Sequence, residues 1–335
     1  MRILVTGGAG FIGSHFVRTL VSGGYDSLTA DGPFAGADVT VLDALTYAGV
    51  LANLDPVIAS PRLRFVEGNI LDEALVDELM ADTDFVVHFA AESHVDRSIT
   101  GARDFIMTNV VGTQTLLDAA RRHQITRFVH VSTDEVYGSI DEGSWPETHP
   151  LEPNSPYAAS KASSDLIARS YARTHGLDVV ITRCSNNYGP YQFPEKVIPL
   201  FITNLIDGGT VPLYGDGLNV RDWLHVDDHC RGIALALALG RSGEVYNIGG
   251  GTELTNRELT ELLLLRTDTD WSRVVPVDDR KGHDRRYSVD ISKATAELGY
   301  EPLVPFEQGL IDTVQWYRDN RTWWEPLKQP AATAR

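Results

Sequence analysis

Thr6-Gly7-Gly8-Ala9-Gly10-Phe11-Ile12-Gly13 follows the apolar run at residues 3–5 and begins a helical pattern that continues to Ser22. Between a strand and a helix, the spacing Gly8-x-Gly10-x-x-Gly13 is typical of a dinucleotide-binding turn. Its glycines let the backbone turn tightly and approach a pyrophosphate, whose charge is stabilised by the helix N-terminus. A tight turn without a ligand is the alternative. We predict that this turn binds a dinucleotide.

The alternation of short apolar runs with helical patterns continues through the first half of the chain. This alternation predicts an α/β fold with a doubly wound parallel sheet of the Rossmann type. Predicted strands are residues 3–5, 39–42, 64–66, 85–89, 128–131 and 179–182, and predicted helices are residues 11–22, 74–80, 102–123 and 157–174.

After Arg183 the sequence becomes rich in loops, aromatic residues and prolines, before a helical pattern at 229–239 and a strand at 245–248. We interpret this change as a smaller C-terminal substrate-binding domain interleaved with the nucleotide-binding domain. The predicted nucleotide-binding domain is residues 1–185, to which residues 222–250 return. The substrate-binding domain is predicted at 186–221 and 251–328, and a flexible tail at 329–335.

The formal net charge of −17 argues against a nucleic-acid partner or an anionic membrane surface, because both would be repelled. Cys184 and Cys230 are too few for a disulfide framework and lack the spacing of a zinc site. The N-terminus does not have the pattern of a signal peptide, and no stretch is long enough to span a membrane. We therefore expect a cytoplasmic protein without a metal.

Asp43 ends the second predicted strand, where a carboxylate can bind the ribose diol of a dinucleotide. Such a carboxylate would repel a 2′-phosphate, so NAD is favoured over NADP. Its distance from Gly13 is longer than usual because residues 26–38 form an inserted loop. A helix-capping Asp43 is the alternative. The strand ends at Asn69-Ile70 and Phe89-Ala90-Ala91 are placed to border the same ligand.

Tyr157 and Lys161 are four residues apart at the start of a helical pattern, so their side chains share one face. A nearby ammonium and a nicotinamide cation would both favour the tyrosinate, which suits an acid and base for hydride transfer. The same spacing also occurs by chance. A second polar group, Thr133-Asp134-Glu135, follows another strand at the edge where α/β sheets bind ligands.

Four motifs together resemble the dTDP-glucose 4,6-dehydratases of the extended short-chain dehydrogenase/reductase family. They are Thr6 to Gly13, Ser-Thr-Asp-Glu-Val-Tyr-Gly at 132–138, Pro-Tyr-Ala-Ala-Ser-Lys at 156–161, and Asn-Asn-Tyr-Gly-Pro at 186–190. The match covers essentially the whole chain and is strongest to members of deoxysugar pathways for antibiotics. It implies dTDP-glucose as the substrate and NAD as the cofactor.

The resemblance assigns a role to each catalytic residue. Tyr157 removes the proton of the hydroxyl at carbon 4, and Thr133 hydrogen-bonds the same oxygen. Glu135 takes the proton at carbon 5, whereas Asp134 protonates the hydroxyl that leaves carbon 6. Asp134 must then be protonated while Glu135 is ionised, and adjacent carboxyls in a closed cleft separate their pKa values in this way.

An anionic sugar nucleotide needs local positive charge, and Lys196, Arg221 and Arg280 are the candidates to bind its diphosphate. Two alternatives stay open: Arg285 and Arg286 pair with acidic neighbours, and Tyr214 is a core residue. With the resemblance, the predicted substrate-binding residues are Ser93, Thr133, Asp134, Glu135, Asn186, Lys196, Val197, Pro212, Tyr214, Arg221, Asn256, Arg280 and His283.

The predicted NAD-binding residues combine the motifs with the resemblance. They are Gly7, Gly10, Phe11, Ile12, Gly13, Asp43, Leu45, Thr46, Asn69, Ile70, Phe89, Ala90, Ala91, Ser93, Thr108, Tyr157, Lys161 and Asn187. Two positions depart from the family pattern. Asn69 replaces the usual aspartate, which removes a charge near the adenine, and Lys281 replaces a proline, which makes the loop before His283 less rigid.

Two other functions remain as alternatives. A 4-epimerase or decarboxylase on the same fold would share Tyr157 and Lys161, but would not need Asp134 and Glu135. A silent dinucleotide-binding scaffold would need none of these four residues. The resemblance also implies a homodimer formed by the helices at 102–123 and 157–174. Trp316, Trp323 and Trp324 are expected to pack a last helix rather than stack on a base.

Overall fold

A seven-stranded sheet lies at the centre of the structure, a computed structural model that describes residues 1–328. The predicted tail at 329–335 lies outside the described residues. The strands are β1 (Arg2–Thr6), β2 (Asp38–Asp43), β3 (Leu63–Glu67), β4 (Phe85–His88), β5 (Arg127–Thr133), β6 (Val179–Cys184), β7 (Asn186–Tyr188), β8 (Val211–Tyr214), β9 (Val220–His225), β10 (Val245–Ile248), β11 (Thr252–Thr255) and β12 (Val274–Val277).

The helices follow the predicted alternation in the first half of the chain. They are α1 (Phe11–Val21), α2 (Glu73–Met80), α3 (Val95–Thr100), α4 (Arg103–Phe105), α5 (Thr113–Arg122), α6 (Pro156–His175), α7 (Val197–Ile206), α8 (Val226–Leu239), α9 (Asn256–Arg266), α10 (Ser292–Leu298), α11 (Phe306–Asp319) and α12 (Arg321–Trp324).

The central sheet has the order β10-β6-β5-β4-β1-β2-β3, and each neighbouring pair is parallel. The order reverses between β1 and β4, which is where doubly wound sheets open a ligand crevice. Helices α1 and α8 cover one face, and α2, α5 and α6 cover the other. The predicted doubly wound Rossmann fold is confirmed.

The predicted helix at 102–123 is interrupted. α4 and α5 are separated by a π-helical segment, Ile106–Gly112, in which each hydrogen bond spans one residue more than in an α-helix. Asn109 in this segment uses its side-chain amide to donate to the Glu92 carbonyl at 3.0 Å and to the Ser160 hydroxyl at 2.8 Å. The wider turn therefore places a buried amide between two other segments, which apolar periodicity does not reveal.

The segments after β6, apart from α8, β10 and α10, form a second core beside the sheet. β11, β9 and β7 make a three-stranded sheet, and β12 pairs with β8. Helices α7, α9 and α11 pack around a cluster that contains Trp223 and the fully buried Trp324, with Trp316 and Trp323 against its side. The three C-terminal tryptophans pack the last helices, as expected. Within residues 1–328, no helix combines the length and apolar composition needed to cross a membrane.

Candidate active site

The glycine-rich turn between β1 and α1 brings its backbone against the next strand end. Gly7 has a φ of +71°, and a Cβ there would lie 2.6 Å from the Ala90 nitrogen. A Cβ on Gly13 would collide with the Gly7 carbonyl oxygen. No larger residue fits at either position, so the turn keeps open the space that a pyrophosphate needs at the start of α1. This geometry fits NAD.

Asp43 ends β2 directly beside this turn. One carboxylate oxygen accepts the Ala9 N–H and the other accepts the Leu45 N–H, both at 2.9 Å. Asp43 is not the N-cap of an α-helix, because α1 is preceded by Gly10 and α2 by Asp72. Burial raises the pKa of Asp43. The carboxylate also borders the cavity in front of the turn, where it remains able to accept hydrogen bonds from a ribose.

A cavity of about 320 Å³ runs along the carboxyl ends of the central strands. It is lined by all five predicted catalytic residues and by every predicted NAD-binding residue except Leu45, whose N–H is bound to Asp43. The lining residues include Gly7, Gly10, Phe11, Ile12, Gly13, Asp43, Thr46, Asn69, Ile70, Phe89, Ala90, Ala91, Ser93, Thr108, Tyr157, Lys161 and Asn187.

A second cavity of about 240 Å³ adjoins the first, and Glu135, Asn186 and Lys196 line both. The other predicted substrate-binding residues beyond the sheet line this second cavity, namely Val197, Pro212, Tyr214, Arg221, Asn256, Arg280 and His283. Tyr214 is only half-buried, with its ring edge-on to His283 at 6.5 Å, so it is not a core residue. The predicted NAD-binding and substrate-binding residues therefore line two adjoining cavities.

Tyr157 and Lys161 occupy the first two turns of α6, whose start is fixed by Ser155. The Ser155 hydroxyl accepts the Ala158 N–H at 3.1 Å, and Pro156 follows it. The Lys161 ammonium donates to the Val131 carbonyl at 2.8 Å, which directs it towards the end of β5. Burial lowers the pKa of Lys161 to about 8.

The Tyr157 phenol is buried, and its pKa is raised well above the usual value by burial and by the nearby Glu135 carboxylate. The side chains alone therefore do not stabilise the tyrosinate expected from the Tyr-x-x-x-Lys spacing. The positive charge of a bound nicotinamide would favour the tyrosinate.

Asp134 and Glu135 lie in a short 3-10 turn directly after β5. The Thr133 hydroxyl contacts Asp134 Oδ1 at 3.3 Å, and Asp134 Oδ2 is buried without a hydrogen-bond partner among residues 1–328. Burial, together with the charges of Glu135 and Asp222, raises the pKa of Asp134 well above its usual value. This shift favours the protonated form of Asp134, which is the form that an acid catalyst requires.

The Glu135 carboxyl has a different electrostatic environment. Burial raises its pKa too, but three cationic side chains oppose that effect, Arg280, Lys196 and Arg221. For Asp134, the charges of Glu135 and Asp222 raise the pKa, and Arg221 is the cation that opposes them. The two adjacent carboxyls therefore differ in the direction that an acid and a base require.

Arg221 and Arg280 line the second cavity in different ways. The Arg221 guanidinium lies 4.2 Å from the centre of the Tyr287 ring and donates to the Asp284 carbonyl at 2.9 Å. Arg280 lies 3.9 Å from the Asp96 carboxylate, and its Nε is buried without a partner within the described part of the chain. The Lys196 ammonium donates to the Ser93 carbonyl at 2.8 Å.

Arg285 and Arg286 are bound to acidic side chains instead, Asp216 at 2.9 Å and Glu253 at 2.7 Å. Of the alternatives left open by the sequence, the structure therefore shows the one in which these two arginines pair with acidic neighbours. Neither arginine lines the two cavities. The basic segment at residues 280–286 therefore contributes one arginine, Arg280, to the site, whereas Arg285 and Arg286 lie outside it. Lys281 is exposed, and Asn69 lines the NAD cavity while its Oδ1 accepts the Leu71 N–H at 2.9 Å.

Several residues at the site were not predicted from the sequence. Glu195 lines both cavities, next to the predicted Lys196, and one of its carboxylate oxygens is buried without a partner among residues 1–328. Only its position beside Lys196 could have indicated it. Others include Tyr47, Cys184, Ser185, Gln192, Phe193 and Tyr287.

Comparison with known proteins agrees with this geometry. The GDP-mannose 4,6 dehydratase family profile matches residues 4–313. A dTDP-glucose 4,6-dehydratase of Streptomyces antibioticus is 64% identical over 335 residues, which cover 100% of this chain and 98% of that protein.

Two solved structures extend the comparison to three dimensions. DesIV, a dTDP-glucose 4,6-dehydratase of Streptomyces venezuelae determined with NAD bound, is 67% identical with a TM-score of 0.94, covering 98% of this chain and 100% of that one. The dTDP-glucose 4,6-dehydratase of Bacillus anthracis, also determined with NAD, is 48% identical with a TM-score of 0.89 and covers the same shares. The chain therefore belongs to the dTDP-glucose 4,6-dehydratases, within the family that the GDP-mannose 4,6 dehydratase profile describes.

Proposed function

We propose that the protein dehydrates dTDP-glucose to dTDP-4-keto-6-deoxyglucose with NAD as cofactor. The observation that carries this proposal is the position of Asp134 and Glu135, side by side in the cavity that also contains Tyr157. A 4-epimerase has no use for this pair. The Streptomyces relatives further support a role in deoxysugar biosynthesis for an antibiotic or another secondary metabolite.

Bound NAD supplies a hydride acceptor for carbon 4 of the sugar and later the hydride donor for carbon 6. The residues that would hold it are those of the glycine-rich turn, Asp43 and the other predicted NAD-binding residues that line the first cavity. Tyr157 takes the proton of the hydroxyl at carbon 4 through its phenol oxygen, and Thr133 hydrogen-bonds the same sugar oxygen. The Lys161 ammonium is held one turn away, where it lowers the cost of the tyrosinate.

Glu135 and Asp134 carry out the elimination. Once carbon 4 is a ketone, the hydrogen on carbon 5 becomes acidic, and the ionised Glu135 removes it. The protonated Asp134 gives its proton to the hydroxyl that leaves carbon 6 as water. Each of these proton transfers contributes on the order of 10²- to 10⁴-fold to the rate. A proton then returns to carbon 5, and this step completes the reaction.

The second cavity is proposed to bind the nucleotide diphosphate. Arg221, Arg280 and Lys196 supply positive charge in the second cavity, close enough to Glu135 to affect its pKa, so a diphosphate bound there would bring the sugar towards Glu135. Guanidinium groups match diphosphate oxygens in pairs of hydrogen bonds. By this proposal residues 1–185 and 222–250 form the nucleotide-binding domain, and residues 186–221 and 251–328 form the substrate-binding domain.

The function is tested by incubating the protein with dTDP-glucose and NAD in deuterium oxide. The expected product is a 4-keto-6-deoxy sugar nucleotide that carries deuterium at carbon 5. Glu135→Gln should still allow oxidation at carbon 4. The reduced cofactor should then accumulate, which its nicotinamide absorbance reports. Glu253→Gln, which changes an exposed partner of Arg286, is the matched control and should turn over normally. A 4-epimer as product would instead assign the protein to the rival class.

We also propose that the protein is a cytoplasmic homodimer. Five apolar side chains are exposed on α3, on residues 106–112 and on α6. These three segments are neighbours, and α3 and residues 106–112 each pack on α6. An exposed apolar group of this kind suits a subunit interface. Both cysteines are free and buried, which fits a reducing compartment. The five are Ile99, Ile106, Met107, Val111 and Leu166. A monomer mass that does not change with concentration in sedimentation would contradict the dimer.

A further inference from the structure

The C-terminal helix α12 is connected to the glycine-rich turn through one buried side chain, Asn53. The indole Nε1–H of Trp323 donates to Asn53 Oδ1 at 2.9 Å. The Asn53 amide then donates through Nδ2 to the Ala9 carbonyl, also at 2.9 Å. Ala9 lies in the middle of the turn, and its own N–H is bound by Asp43. A chain of hydrogen bonds thus joins residue 323 to the cofactor turn.

Asn53 is only 1% exposed, and its backbone carbonyl is also used, because it accepts the Arg18 guanidinium at 2.7 Å. The same guanidinium lies 4.1 Å from the centre of the Tyr191 ring. Tyr191 is held in the left-handed region, with φ +68°, and packs against Trp316 at 4.5 Å and Trp323 at 5.5 Å. The aromatic rings therefore fix the position from which Trp323 donates.

Neither Asn53 nor Trp323 lines the two cavities, so neither side chain is placed to touch the cofactor. Any effect of these two side chains on cofactor binding must therefore pass through the backbone of the turn at Ala9. Removing the indole donor would leave Asn53 Oδ1 buried without a partner, and an unsatisfied buried acceptor is costly. The amide would then reorient or admit water, and the Ala9 carbonyl would lose a fixed donor.

We propose that Trp323 is a positioning residue for NAD, which acts through Asn53 to hold the glycine-rich turn in its binding shape. A turn that is already ordered loses less conformational entropy when it binds its ligand. The hydrogen-bond chain therefore slows the release of NAD between turnovers. This inference rests on the proposed NAD site, and it gives the C-terminal tryptophans a role beyond packing.

The test compares two indole donors in the same helix. Trp323→Phe keeps an aromatic ring but removes the donor to Asn53. Trp324→Phe is the matched control, because the Trp324 indole donates to the Tyr317 carbonyl at 2.7 Å and has no connection to the turn. The measurement is the dissociation rate of radiolabelled NAD from the full-length protein, chased with unlabelled NAD, beside the melting temperature of each variant.

Trp323→Phe should release NAD about 3- to 10-fold faster than the unchanged protein, the range expected for one hydrogen bond. Trp324→Phe should lower the melting temperature and leave the NAD release rate unchanged. Asn53→Ala should also speed release, and the double variant Asn53→Ala with Trp323→Phe should be no faster than Asn53→Ala alone. Asn53→Ala tests the same chain of bonds if Trp323→Phe does not fold.

Equal NAD release from Trp323→Phe and the unchanged protein would overturn the role of Trp323. So would an equal acceleration by Trp324→Phe, because the effect would then follow from loss of stability in α12. Additive effects of the two substitutions in the double variant would also contradict a single chain of bonds. An unchanged protein that retains no NAD would overturn the NAD site itself, and with it the proposed function.

Discussion

Asp134→Asn should make the stability of the protein less dependent on pH, because it removes a carboxyl that the fold keeps protonated. Asp134 is 1% exposed, and its pKa is raised well above the usual value by burial and by the charges of Glu135 and Asp222. In the unfolded chain the same carboxyl has a pKa of about 3.9. An asparagine has the same shape, keeps an oxygen for the Thr133 hydroxyl, and cannot ionise.

The sign follows from proton binding. Between the unfolded pKa and the raised folded pKa, the folded protein holds one proton more than the unfolded chain, so its stability falls as pH rises. The slope is about 1.4 kcal/mol per pH unit for one proton. The difference in unfolding free energy, variant minus unchanged protein, should therefore grow as pH rises above the unfolded pKa, by up to about 1.4 kcal/mol per pH unit while Asp134 stays protonated.

A second contribution does not depend on pH. The new amide N–H₂ takes the place of Asp134 Oδ2, which has no partner among residues 1–328, so the substitution carries a constant cost of about 1–3 kcal/mol. Only the pH dependence of the difference in unfolding free energy reports on the proton that Asp134 holds. Asp222, whose pKa burial raises to about 6, is present in both proteins and cancels from the comparison.

The assay is urea unfolding of the two proteins at a series of pH values and matched concentration. Asp216→Asn is the control, since Asp216 is exposed and hydrogen bonds from Arg285 lower its pKa. A lowered folded pKa gives a contribution that is complete above the unfolded value, so this control difference should be flat above about pH 5. A flat difference for Asp134→Asn as well would mean that Asp134 is ionised in the folded protein and cannot be the acid.

Two further predictions concern the cations at the site. Burial lowers the pKa of Lys161 to about 8, so stopped-flow reduction of NAD by dTDP-glucose should decline as pH rises through that value. Lys161→Met should be slow at every pH and should lack this decline, whereas a decline retained in the variant would assign it to another group. Arg280→Gln should raise the KM for dTDP-glucose about 10- to 100-fold, as expected for hydrogen bonds to a charged group. Arg286→Gln should leave the KM unchanged because Glu253 already binds Arg286, and an equal rise in both variants would refute the assignment of Arg280.

The parts of the fold that sequence reasoning predicted correctly are those governed by local patterns. β1, β2 and β5 are apolar runs with a turn or polar residues after them, and the glycine spacing fixes the β1 to α1 turn. The π-helical segment at 106–112 was missed because its cause is tertiary. Asn109 bonds to Glu92 and Ser160, two partners that are distant in sequence.

The same distinction applies to the site. The proposed catalytic residues follow strand ends or begin a helix, so their sequence position indicates where they lie. The basic window at 280–286 was ambiguous, because only the folded chain shows that Asp216 and Glu253 bind Arg285 and Arg286. Tyr287 was missed for the same reason, since only the folded chain shows that it lines the second cavity with Arg221 from β9 over its ring.

The arrangement of cations suggests how substrate binding affects the base. Arg280, Lys196 and Arg221 oppose the rise in the pKa of Glu135, and the same three side chains are the proposed ligands of the diphosphate. A bound diphosphate would neutralise part of their charge and raise the pKa of Glu135 further, which makes it a stronger base. Arg221 is the cation that opposes the raised pKa of Asp134, whereas the charges of Glu135 and Asp222 raise it, so Asp134 would stay protonated. Diphosphate binding would thus strengthen the base without ionising the acid, and this coupling follows from placing the cations on the Glu135 side of the pair.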